Sequence, residues 1–129
     1  MTEDEITYKI RGAIFNVYNA LGPGLLEVVY EKAMVYELKK KGLKVKEQEP
    51  CPVIYDGHDL GLDLRIDLLV EDTVIVELKS VLEMKEVFYK QTMTYLKLAH
   101  KHVGILVNFN TEILWSPFTV SSTDISDVF

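Results

Sequence analysis

Asp67-Leu68-Leu69-Val70-Glu71-Asp72-Thr73-Val74-Ile75-Val76-Glu77-Leu78-Lys79 consists of two apolar, β-branched runs around a short acidic break. The pattern predicts two strands joined by a tight turn. Side chains alternate along a strand, so Glu77 and Lys79 share one face and Leu78 takes the other. Two carboxylates and an amine gathered on a sheet surface can hold a divalent cation with a water beside it. Oxygen ligands of this kind suit Mg²⁺ or Mn²⁺ rather than zinc. The lysine would then hold a phosphate or the attacking water. The alternative is a hairpin with ordinary surface charges.

The register decides between the two. Residues directly opposed in an antiparallel pair project to the same face. A two-residue turn at Glu71-Asp72 pairs Val70 with Thr73 and leaves Asp67 and Glu77 on opposite faces. A three-residue turn, Glu71-Asp72-Thr73, pairs Val70 with Val74 and sets Asp67 against Glu77. A bulge in either strand makes the same correction. A metal site therefore needs the odd-length turn or a bulge.

Outward from this hairpin, the 129 residues are 48% hydrophobic and 26% charged, the composition of a soluble globular domain with a real core. One domain over 1–129 is expected, with a polar tail over 116–129. No apolar run approaches the roughly 20 residues of a membrane helix. The acidic start, Met1-Thr2-Glu3-Asp4-Glu5, does not read as a signal peptide. Cys51 is the one cysteine, which fits a reducing cytoplasm and is read as structural. A net charge of −6 argues against broad electrostatic binding of nucleic acid, though not against local binding.

Ile6, Ile10, Ala13, Ile14, Val17, Tyr18 and Leu21 recur at helical spacing and predict a helix over 4–21. Gly22-Pro23-Gly24 ends it. A second helix is expected over 25–41, with Leu26, Val29, Tyr30, Ala33, Met34 and Leu38 inward and Gly42 as its cap. An extended segment over 43–55 is broken near Pro50 and Pro52, the mark of an edge strand. Asp56-Gly57 and Gly61 bracket a turn before the central hairpin. A third helix over 83–102 carries Val87, Tyr89, Gln91, Thr94, Tyr95 and Leu98 along it. Val103–Val107 reads as a buried strand, and 113–115 as a last short one. The expected fold is an α/β sandwich with a mixed sheet.

Three further features border the acidic hairpin. Glu27 opens the second helix, where a carboxylate is also favoured simply by the helix dipole. Gln91 and Tyr95, four apart, share one face of the third helix; they would touch a phosphate or base, or else be packed and satisfied. Arg65 shares a strand face with Asp67 and could neutralise the acids or clamp a phosphate. Lys85, Lys90, Lys97 and Lys101 offer phosphate contacts or a solvated helix face. His58, His100 and His102 show no ligand spacing.

Gly24-Leu25-Leu26-Glu27-Val28-Val29-Tyr30 resembles the signature of the GxxExxY proteins, small members of the PD-(D/E)XK nuclease superfamily. The resemblance extends through 21–24, 65–70, 74–79, 91–96 and 104–110, in that order. It implies a restriction-endonuclease-like three-layer α/β/α sandwich. It also implies that Asp67, Glu77, the Leu78 carbonyl and Glu27 are metal ligands, as in RecB-like domains, and that Lys79 is the catalytic lysine. Gln91 and Tyr95 match the Gln-x-x-x-Tyr motif of that branch. The implied activity is Mg²⁺- or Mn²⁺-dependent cleavage of nucleic acid, DNA before RNA, with a homodimer expected to span a duplex. Two other readings stand beside it: a nuclease-like fold used as a binding or assembly module, and an enzyme acting on a nucleotide.

Overall fold

The computed structural model describes residues 1–112 and 118–121, the latter as backbone. The elements run α1 (Glu3–Leu21), α2 (Glu27–Lys40), β1 (Val45–Pro50), β2 (Ile54–Tyr55), β3 (His58–Asp59), β4 (Arg65–Val70), β5 (Val74–Lys79), α3 (Glu86–Ala99), β6 (Val103–Asn108) and β7 (Phe118–Ser121). Five strands form one sheet in the order β1-β4-β5-β6-β7, and β2-β3 is a separate two-stranded hairpin. β5 and β6 are parallel, and the neighbouring pairs β1–β4, β4–β5 and β6–β7 are antiparallel. A parallel pair needs a crossover, and α3 supplies it. The sheet is therefore mixed, as expected.

Two hydrophobic clusters lie on opposite sides of this sheet. On one, Ile6, Ile10, Ile14 and Val17 of α1 and Tyr30, Met34 and Leu38 of α2 cover Leu68, Val70, Val74, Val76 and Leu78. On the other, Met93 and Leu96 of α3 cover Ile66, Leu69, Ile75 and Cys51. The result is three layers, helix over sheet over helix. Opposite-facing residues of β5 thus enter different cores, which is why Val74–Val76 reads as an unbroken apolar run. α3 lies close to β6 because residue 104 has no side chain: a Cβ there would come within 3.3 Å of Thr92 Cγ2 and 3.5 Å of Leu96 Cδ2.

The central hairpin takes the odd-length turn. Val70 pairs with Val74, Leu69 with Ile75 and Leu68 with Val76. Glu71 and Asp72 both have positive φ (+53° and +51°), the backbone of a primed hairpin turn, closed by a bond from Thr73 N–H to the Val70 carbonyl (3.0 Å). Lys44 N–H donates to the Glu71 carboxylate (2.8 Å) and Lys101 Nζ to the Asp72 carbonyl (2.8 Å), so neighbouring segments hold the turn.

Several expectations shift in detail. α2 begins two residues later than expected; Leu26 is its N-cap and 74% exposed, and Val29 is exposed too, while Tyr30, Met34 and Leu38 are buried. The inward face of α3 is carried by Thr92, Met93 and Leu96, and Thr94 is exposed. The 43–55 segment divides into the edge strand β1 and the start of the β2–β3 hairpin. β7 falls within the stretch expected to be a polar tail, whereas the strand expected at 113–115 lies outside the described residues.

The turn's length sets the parity of every side chain in β4 and β5. Deleting Thr73 should therefore collapse stability, because one strand would turn its apolar set to the wrong face. Inserting two residues between Asp72 and Thr73 preserves parity and should cost only about 1 kcal/mol or less in loop entropy. Thermal unfolding of both variants tests this; equal losses would contradict the register argument.

Candidate metal and phosphate site

The β4–β5 ladder stops where the acids begin. Beyond the Leu68–Val76 pair, side chains replace the backbone rungs. Leu78 N–H donates to Asp67 Oδ2 (2.9 Å), and Asp67 N–H donates to Glu77 Oε1 (3.2 Å). The Asp67 carboxylate thus lies in the gap between the strands, bonded to the residue after Glu77. Strand alternation also breaks here. Ile66 should share Leu68's face but packs with Leu69 on the α3 side. Across from Asp67 in the β1–β4 register stands Gln48, a non-glycine residue at φ +50°.

Glu77 is 6% exposed. Burial pushes its carboxyl up to about 9, the Asp67 charge pushes the same way, and Lys79 opposes both. Without a cation, this group holds a proton at neutral pH. Lys79 is half-buried, with its Nζ 4.7 Å from the centre of the Phe88 ring, a cation–π contact.

Glu27 reaches the site through the loop before α2. Gly22 and Gly24 take positive φ (+70° and +93°), which turns the chain sharply after α1. Tyr30 is fully buried and ties this loop down: its hydroxyl donates to the Gly22 carbonyl (2.6 Å) and accepts from Leu25 N–H (3.1 Å). Its ring stacks on Phe109 at 4.4 Å, and Phe109 N–H donates to the Lys79 carbonyl (2.9 Å). Ser80 Oγ donates to the Leu25 carbonyl (2.5 Å), joining the loop to the end of β5. Asn108 secures the exit of β5, accepting from Val81 N–H (3.1 Å) and donating to its carbonyl (3.0 Å). Glu27 is thereby set within the field of Lys79 and Asp67. Loss of hydration raises its carboxyl, Lys79 opposes this, and Asp67 and Glu31 add to the rise.

The other expected residues divide. Tyr95 is half-buried on α3; burial raises its phenol, with Glu77, Cys51 and Asp67 adding to the effect, so it borders the acids. Gln91 is exposed and is not drawn in with it. Arg65 turns away: it pairs with Asp63 (2.9 Å) and donates to the Gln48 carbonyl (3.2 Å). Lys85, Lys90 and Lys97 are exposed on or at the start of α3, with Lys90 3.6 Å from Glu86. Lys101 lies past the helix end and is held by Asp72.

Sequence reasoning missed two residues. Glu31 is 8% exposed and accepts a hydrogen bond from Gln48 Nε2 (2.5 Å). The same nitrogen stands 3.5 Å from Asp67 Oδ1. Burial raises the Glu31 carboxyl, Gln48 opposes this, and Asp67 adds to the rise. The signal was present: Glu31 lies four after Glu27 and so on the same helix face.

The donor set suits a hard divalent cation, since carboxylate and backbone oxygens dominate and a buried acid stands beside another acid. Among the described residues, no three acidic, histidine or cysteine side chains are already gathered tightly enough to hold an ion. A cation would have to draw the carboxylates in and displace the Glu77 proton.

Two outcomes follow. Tyr30→Phe leaves Leu25 N–H and the Gly22 carbonyl without their partner, and should lower stability by roughly 1–3 kcal/mol by denaturant unfolding. No change would mean the clamp is idle. Glu77 has a folded pKa of about 9 against an ordinary 4.5. Its stabilising contribution is fully present below the lower value and is lost as pH rises toward the upper one. Without metal, Tm should therefore fall across that window, and Glu77→Gln should flatten the slope and melt higher at its alkaline end. Superimposable curves would refute the assignment.

A model of the PD-(D/E)XK nuclease superfamily matches residues 4–116. No curated protein and no solved structure matches the chain. Nucleases of this superfamily generally use divalent metal ions. The mixed sheet with helices is consistent with a restriction-endonuclease-like fold. No helix among the described residues is long and apolar enough to cross a membrane. A match over most of the sequence, joined to acids and a lysine at the broken end of β4 and β5, makes this chain a member of the PD-(D/E)XK nuclease superfamily.

Proposed function

We propose that the protein is a Mg²⁺- or Mn²⁺-dependent nuclease that hydrolyses phosphodiester bonds in nucleic acid, DNA before RNA. The observation that carries this reading is the broken β4–β5 rung, where Asp67 and the buried Glu77 meet beside Lys79. Asp67, Glu77, the Leu78 backbone and Glu27 would hold the cation. Bound there, a divalent ion polarises a phosphate oxygen and lowers the pKa of a water. Lys79, beside the Phe88 ring, would position a water or the phosphate. Tyr95 borders the site from α3. The Gly24–Tyr30 signature supports the finer assignment to the GxxExxY proteins, and the Gln91–Tyr95 spacing supports the RecB-like branch. A cytoplasmic homodimer completes the reading.

A second reading, a nuclease-like module that binds without cleaving, draws on the carboxylates' not being gathered in advance. Calorimetric titration with Mn²⁺ separates the two. The nuclease reading expects saturable binding that Asp67→Ala and Glu77→Ala abolish; no binding by the wild-type chain would overturn it.

Lys79→Ala should keep the fold and Mn²⁺ binding but slow DNA cleavage on the order of 10²–10⁴-fold, the usual contribution of a positioned proton-transfer or water-orienting group. Equal cleavage by the variant would remove Lys79 from the chemistry. Tyr95→Phe should leave melting nearly unchanged and weaken substrate binding or turnover. A clear drop in Tm with unchanged activity would make Tyr95 a core residue only.

A further inference from the structure

Gln48 occupies an unusual place. Its backbone is left-handed (φ +50°) in the middle of β1, between residues that pair regularly with β4 on either side, Glu47 with Leu68 and Glu49 with Ile66. Left-handed backbone at a residue other than glycine is strained and persists only when surrounding contacts impose it. Here those contacts are polar. Glu31 accepts from Gln48 Nε2 at 2.5 Å, Asp67 Oδ1 faces the same nitrogen at 3.5 Å, and Arg65 donates to the Gln48 carbonyl at 3.2 Å. Only the NH₂ end of an amide can serve two carboxylates, which fixes how the side chain points.

We propose that Gln48 and Glu31 form a positioning pair for Asp67, holding its carboxylate in the strand gap in the orientation a divalent cation needs. Glu31, buried in α2, anchors the amide, and the amide's second hydrogen points at Asp67 Oδ1. Asp67 Oδ2 is meanwhile fixed by Leu78 N–H. With a partner at each oxygen, Asp67 is held toward the gap between β4 and β5. Partners of this kind behind a ligand typically carry 10–100-fold in metal affinity, roughly as much as the proposal asks of Gln48. The inference rests on the nuclease reading for its purpose, but the orientation of Asp67 is a property of the metal-free chain.

The test uses Gln48→Gly, which suits positive φ and so removes the side chain while relieving backbone strain. The first readout needs no metal: hydrogen exchange and chemical shift of the Leu78 amide report its bond to Asp67. The variant should fold at least as stably as wild type, yet its Leu78 amide should exchange faster while those of Ile75 and Val76 hold. Mn²⁺ affinity, by calorimetry, should weaken on the order of 10–100-fold. Glu31→Gln retains an acceptor for Gln48 and should stay within a few-fold of wild type, whereas Glu31→Ala should match Gln48→Gly. Lys32→Ala is the control. It removes a neighbouring link between α2 and β1, Lys32 to Glu47 at 2.7 Å, while leaving the hydrogen bonds of Gln48, Glu31 and Asp67 intact. An unchanged Leu78 amide in Gln48→Gly overturns the proposal. So does loss of Mn²⁺ binding in Glu31→Gln as complete as in Glu31→Ala, which would make Glu31 a ligand. If wild type binds no Mn²⁺, the nuclease reading fails, while the Leu78 amide still decides the positioning.

Discussion

Placing Glu77 and Asp67 together at the end of a strand pair is the constraint from which the surrounding structure follows. Buried carboxylates are costly unless protonated, hydrogen-bonded or matched by positive charge. This chain uses each remedy in part: a proton on Glu77, backbone N–H groups of Asp67 and Leu78, and the Lys79 amine. A stable fold with no other task would fill the gap with backbone rungs and apolar side chains. The departure from that economy is local, since among the described residues no buried side-chain nitrogen or oxygen lacks a partner.

The loop before α2 and the end of β5 are held by a scaffold of uncharged residues. Tyr30 serves three elements at once: it closes the loop after α1, stacks on Phe109 beyond β6, and through Phe109 steadies the backbone of Lys79. In the Gly24–Tyr30 signature, glycine makes the turn, the exposed acid stands within the field of Lys79 and Asp67, and the tyrosine holds the loop shut. A spacing that reads as one motif therefore combines an acid with two residues that shape the backbone.

Much of this was legible in the sequence. The apolar runs flanking Glu71-Asp72-Thr73 announced a hairpin, and the parity of its turn reduced the site to one question about register. The α1 stripe and the buried strand after α3 were equally plain, because their periodicity reflects burial on one face or two. Less legible was what depends on meeting in space. Arg65 has Asp63 two residues away, and that near partner captures it. Gln91 and Tyr95 share a helix stripe, yet the face of α3 turned to the sheet is that of Thr92, Met93 and Leu96, and Gln91 is left exposed. Gln48 carried no signal, since its importance comes from a backbone angle that no propensity favours. Glu31 did carry one, at four residues from Glu27, but a second acid on a helix is too common to stand out.

Gly104 has a consequence for the site that involves none of its residues. Its missing side chain sets how deeply α3 settles onto β6, and Tyr95 rides on that helix opposite Glu77. The spacing between phenol and carboxyl thus depends on the sheet-facing side of the helix, as a shim sets the opening of a jaw. A methyl group at 104 would push α3 back by about a few tenths of an ångström at Thr92, and none of the atoms it would meet belongs to an acid or to the lysine. Relatives differing only there would keep the same acids and lysine and differ in how closely α3 sits on the sheet.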